Sequence, residues 1–225
     1  QSHNRFSYVN NRPLSFSDAG GHTPQSAPPL PDDLTIKEIA DAFEIPPELL
    51  GAVLQTISDI DYDWVDSLED GIVGLLITAD CPASVVAVAL LPNLLSTGIA
   101  QMQYRTATEV EVWIVRSGPG KPYDEFREVM MPIAHNKSEL AYRLLQPEQA
   151  ALYAAAHLRQ LAETEFGTDV TFGALGDEDL ALLGSFYNAG IDYPELNAYD
   201  DNKFGAYIVD QALLIQWRQR LTEPQ

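Results

Sequence analysis

From residue 34 onward the apolar positions recur at intervals of three and four, the period of helices buried along one side. In 34–43, Ile36, Ile39, Ala40 and Phe43 share a face, with Thr35 as a candidate cap. Pro46, Pro47 and Glu48 suit the first turn of a second helix. Its apolar face carries Leu49, Leu50, Val53, Leu54 and Ile57. The spacing predicts further helices over 107–115, 124–133, 137–145, 147–166, 177–189 and 205–221. The strongest is 147–166, where Leu152, Ala155, Ala156, Leu158, Leu161 and Ala162 fall at helical spacing. Val110 to Val115 is ambiguous between helix and strand, and 34–225 offers no other convincing strand and no internal repeat. The predicted fold class is therefore mostly α.

Residues 71–100 are markedly apolar, with Asp80 as the only charge. A run of that length raises the question of a membrane span. Pro82, Pro92, Asn93 and the Ser/Thr positions divide it into pieces too short to cross, so buried helices are the preferred reading. The chain opens differently. Residues 1–20 are polar and turn-rich, with Phe6 and Tyr8 at alternate positions, as in a short strand and turn. Residues 21–33 hold four prolines and read as an extended linker. The expected division is 1–20, a linker over 21–33, and a domain over 34–225. No signal peptide opens the chain, whose N-terminus reads as a cut from something longer.

Composition narrows the partners. The 225 residues carry 33 acidic and 13 basic side chains, a formal charge of −20. That balance argues against nucleic acid, whose binding depends on neutralising phosphates, and against anionic membrane surfaces. Cys81 is the one cysteine, so no disulfide forms within the chain, and its apolar surroundings suit a buried thiol. His22, His135 and His157 share no metal-ligand spacing, and no phosphate-cradling loop or nucleophile elbow is present. No metal or cofactor is expected.

Two motifs carry the candidate chemistry: Gly98-Ile99-Ala100-Gln101-Met102-Gln103, and Ser185-Phe186-Tyr187-Asn188-Ala189-Gly190. Before them stands Pro47-Glu48-Leu49-Leu50-Gly51-Ala52-Val53-Leu54-Gln55-Thr56-Ile57-Ser58, and between them a helix over 150–158 ending at His157-Leu158. In this order, over roughly 45–210, they resemble the lysozyme-like superfamily of lytic transglycosylases and goose-type lysozymes. The resemblance implies a lysozyme-like helical fold, peptidoglycan as substrate and no cofactor. Gln101 would orient a sugar or water. Gln103, Ser58, Tyr187 and Asn188 would belong to the substrate cleft, and Gly98 and Gly190 would admit the saccharide to the backbone.

Asn4-Arg5-Phe6-Ser7-Tyr8-Val9-Asn10-Asn11-Arg12-Pro13-Leu14, running on to Asp18-Ala19-Gly20, resembles the closing segment of the Rhs repeat core. It departs from that pattern at Arg12, and in having Asp18-Ala19-Gly20 where Asp-Pro-x-Gly is usual. That resemblance implies a toxin domain following the Rhs shell of the parent polypeptide. It also implies a secreted effector acting in the periplasm or cell wall of a target cell, and a cognate immunity protein.

Glycosidic cleavage needs an acid, held protonated near working pH, to protonate the leaving oxygen. Where the family has that Glu, this chain has Ile57, which donates no proton. Three readings stay open. The domain is a non-catalytic peptidoglycan-binding relative; or it is an inactivated form of a muramidase or transglycosylase whose native residue at 57 is Glu; or the acid has moved. Asp59, Asp61, Asp63, Asp66, Glu69 and Asp70 follow closely, and Glu69, between Leu68 and Gly71-Ile72-Val73, is the best relocated candidate. A membrane-active toxin using 71–100 is the alternative from another class.

Overall fold

Helix 147–166 opens with Pro147 at its first position, where the missing N–H costs nothing, and ends at Gly167, which has φ 97°. Ten consecutive residues, Ala150 to Arg159, are buried, so it is covered on every side. Six of its buried positions are alanine, which lets neighbouring helices approach closely. It is the axis of the fold.

The computed structural model describes residues 29–60, 96–97, 99–100, 102–117, 133–189 and 211–222. In chain order the elements are α1 (Asp33–Ala42), α2 (Pro47–Ile60), β1 (Ser96–Thr97), β2 (Met102–Gln103), α3 (Tyr104–Arg116), α4 (Lys137–Leu145), α5 (Pro147–Phe166), α6 (Asp177–Ala189) and α7 (Gln211–Thr222). A 3-10 turn spans Phe172–Ala174. The described residues are mostly helical, as the apolar spacing predicts. Helices α1, α2, α3, α4 and α6 all pack on α5, and α7 packs on α2. One apolar core runs from Ile36 in α1 to Trp217 in α7.

The expected helices over 137–145, 147–166 and 177–189 match α4, α5 and α6. The ambiguous 110–115 stretch is helical, within α3. Val110 and Ile114 face the core while Val112 and Val115 are exposed, a helical rather than alternating division. The cap of α1 differs from expectation. Asp32 accepts the Thr35 N–H at 2.8 Å, so Asp32 is the cap and Thr35 lies inside the helix. That hydrogen bond, first among the causes, holds the Asp32 carboxyl below the usual carboxylate range. Asp32→Ala is expected to cost about 1 kcal/mol of stability, read as a lower urea midpoint.

The predicted helix over 124–133, the 71–95 part of the apolar run with Cys81, and residues 1–28 with the Rhs-like segment lie outside the described residues. So do residues 205–210, while Gln211–Thr222 of the last predicted helix is described. No described helix is long and apolar enough to cross a membrane.

Candidate functional site

The described part of the first motif is a turn, Ile99-Ala100, and a short strand, Met102-Gln103. Ser96 pairs with Gln103 and Thr97 with Met102 in an antiparallel ladder of two short strands, and Ile99 and Ala100 lie in a turn between them. Ile99 and Ala100 are buried, and Gln103, half-buried, leads directly into α3. The second motif forms the C-terminal end of α6. The two meet: the Tyr187 hydroxyl donates to the Ala100 carbonyl at 3.0 Å. That bond spans 87 residues of sequence and satisfies a carbonyl no strand pairs. Burial pushes the Tyr187 phenol well above its ordinary value, so it stays a donor.

His157 completes this junction from α5. Its ring centre lies 5.4 Å from that of Tyr187 at an interplanar angle of 55°. Its Nδ1 lies 3.1 Å from Gln160 Oε1, and only 8% of the residue is exposed. Burial, partly offset by Gln160 and by the Glu109 charge, lowers its pKa to about 4. The ring is therefore neutral at pH 7.

Ile57 sits in the last turn of α2 with 3% of its surface exposed, part of the apolar core. Ser58 beside it is half-buried, and Thr56 before it buries a hydroxyl that has no hydrogen-bond partner among the described residues. A carboxyl at 57 would meet a strongly desolvating setting. Glu69, Gly98 and Gln101 lie outside the described residues, as does the side chain of Asn188. Of the predicted cleft residues, the structure joins Tyr187 to the Ala100 carbonyl of the first motif.

A second polar cluster was not legible as a site. Glu111 of α3 is 3% exposed and is the common acceptor for three elements. The Tyr153 hydroxyl of α5 donates at 2.5 Å, Arg143 of α4 lies at 3.5 Å, and the Ala134 N–H donates at 3.2 Å. Desolvation raises the Glu111 pKa above the usual carboxylate range, against the pull of Tyr153, Ala134 and Arg143. Arg143 also pairs with Glu139, which accepts the His135 N–H at 2.9 Å and is itself capped by Asn136. Donors from α4, from α5 and from the segment before α4 converge on Glu111, so the cluster ties α3, α4 and α5 together. One signal for it was available: with Ala107, Val110 and Ile114 facing inward, helical spacing puts Glu111 on the same side. His157 could have been placed likewise, one turn from buried Tyr153.

Among the described residues, no group of three or more His, Cys, Asp or Glu side chains is placed to hold a metal ion. Compared with known proteins, the chain matches no family model, no curated protein and no solved structure.

Proposed function

We propose that residues 34–225 form a domain that engages the glycan strand of peptidoglycan, carried behind an Rhs-type segment as the effector part of a larger toxin. The cleft runs between the 98–104 segment and the C-terminal end of α6. One observation supports this above the others: the Tyr187–Ala100 hydrogen bond, which brings together the two segments that motif order alone pairs. A resemblance made of unrelated coincidences has no reason to unite them. A cognate immunity protein follows from the Rhs-type resemblance, with a target-cell wall or periplasm as the place of action.

The burial of Ile57 favours the non-catalytic form of this reading. The position that would raise a carboxyl's pKa, as a proton donor requires, holds an aliphatic side chain. Muramidase or transglycosylase activity then depends on Glu at 57 or on Glu69. The test is turbidity and sedimentation of purified sacculi with the wild type, Ile57→Glu and Glu69→Gln, each first checked for helical circular dichroism. Wild type is expected to co-sediment with sacculi without clearing them. Clearing that vanishes in Glu69→Gln assigns the acid to Glu69, and clearing gained by folded Ile57→Glu assigns it to 57. Failure of every folded form to co-sediment overturns the reading.

A further inference from the structure

The Ala100–Tyr187 junction has a titratable group built against it. His157 presents its ring to Tyr187, and Tyr187 in turn holds the 99–100 turn. On the face of α5 that carries this ring, Tyr153, Ala154 and Leu161 are buried one turn to either side, with the Tyr153 hydroxyl held by Glu111, and Arg159 and Glu163 of the same helix pair with each other at 3.1 Å. Among the described residues the charge that acts on His157 is Glu109 of α3, itself held by Arg105 at 2.9 Å in an exposed pair. The facing titratable group from α6 is Tyr187, and Gln160 comes from the same helix as the histidine. With Nδ1–H donating to Gln160 Oε1, an arriving proton goes to Nε2 and adds both a charge and a second donor. A buried imidazolium loses its hydration, and attraction to one aromatic face or to a solvent-screened carboxylate returns less than that.

We propose that His157 is a proton-operated positioning residue: charging its ring parts the end of α6 from the 99–100 turn and so opens the Ala100–Tyr187 junction. As a regulation of glycan binding this rests on the reading above, but the opening itself does not. The sign follows from the linkage. The closed junction keeps the imidazole neutral with a pKa of about 4, and the open one frees it toward its ordinary value near 6.5. The closed form is thus favoured in full above pH 6.5 and loses ground as pH falls toward 4. At pH 5 the opening equilibrium rises about twentyfold relative to pH 7.

Amide hydrogen exchange, corrected for intrinsic rates, tests this at pH 7 and pH 5 on the wild type, His157→Phe and His157→Gln. Wild-type protection at 99–100, 102–103 and 182–187 is expected to drop by about twentyfold at most and at least several-fold, while α1 amides hold. Whichever variant folds should keep its pH 7 protection at pH 5. An equal drop in the folded variant, no drop in the wild type, or a drop shared by α1 overturns the proposal. Sacculus binding at both pH values is read alongside. Absence of binding at pH 7 condemns the glycan reading alone, whereas pH-independent exchange condemns the switch alone.

Discussion

Replacing Glu111 with alanine is expected to lower stability by about 3–5 kcal/mol. The loss comes less from the carboxylate than from what it leaves behind. Tyr153 Oη, the Arg143 guanidinium and the Ala134 N–H all aim at Glu111, and water does not readily take its place. Arg143 keeps Glu139, which limits but does not cancel the effect. Thermal unfolding should fall by roughly 10 °C or more for a chain of this size. The double variant Glu111→Leu with Arg143→Met should recover much of the loss, because no charge is then left buried without a partner. The pH dependence has a definite sign. Because burial raises its pKa in the folded state, the Glu111 contribution is most favourable below the ordinary glutamate value and shrinks as pH rises through the folded value. A single variant within 1 kcal/mol of wild type would show that the cluster is solvent-filled rather than sealed.

The second large effect concerns α7. Trp217 is 1% exposed, packs on α2 and donates from Nε1 to Gln55 Oε1 at 2.8 Å. Around it Arg218 pairs with Glu48 at 2.8 Å and Arg220 with Asp33 at 2.6 Å, while Lys37 donates to the Leu221 carbonyl. The arginine pairs are half-exposed and contribute little. Trp217 carries the docking, and Trp217→Ala is expected to cost about 3–5 kcal/mol. Gly51 is its counterpart. A Cβ there would stand 2.6 Å from Trp217 Cδ2 and Cε3, too close for a ring already fixed by a hydrogen bond. Gly51→Ala should therefore cost about 1–3 kcal/mol despite alanine's helix preference. In the Trp217→Ala background the same change should turn stabilising by about 1 kcal/mol, since the clash has gone and the propensity remains. Urea denaturation of the four proteins reads the cycle, and additive effects would contradict the packing described.

Much of this architecture was legible from spacing. The boundaries of α4, α5 and α6 follow from local signals such as Asn136 before α4 and Pro147 with Gly167 around α5. The 110–115 ambiguity arose because β-branched residues populate both element types. It resolves once Ala107, Val110 and Ile114 are seen to share a packed face. Thr35 lost the cap of α1 to Asp32 because the two differ by three residues, and only backbone geometry decides which side chain reaches an amide. Glu111 escaped because its partners stand 32 and 42 residues away, beyond any local pattern. Of the candidate site, motif order brought Ala100 and Tyr187 to notice. It also put His157 at the end of the intervening helix motif, but not its ring against Tyr187, since that contact joins helices 30 residues apart.

The central claim is that the joined turn and helix end form a glycan cleft. Its most direct test is a titration of purified peptidoglycan glycan strands, freed of stem peptides, into the wild type, Tyr187→Phe and Asp32→Ala at pH 7. The account predicts saturable binding by the wild type and a loss of roughly tenfold in Tyr187→Phe, the worth of about one hydrogen bond. It predicts no change in Asp32→Ala, which touches only the cap of α1. Folded wild type that shows no saturable binding, or equal affinity in Tyr187→Phe, would contradict it.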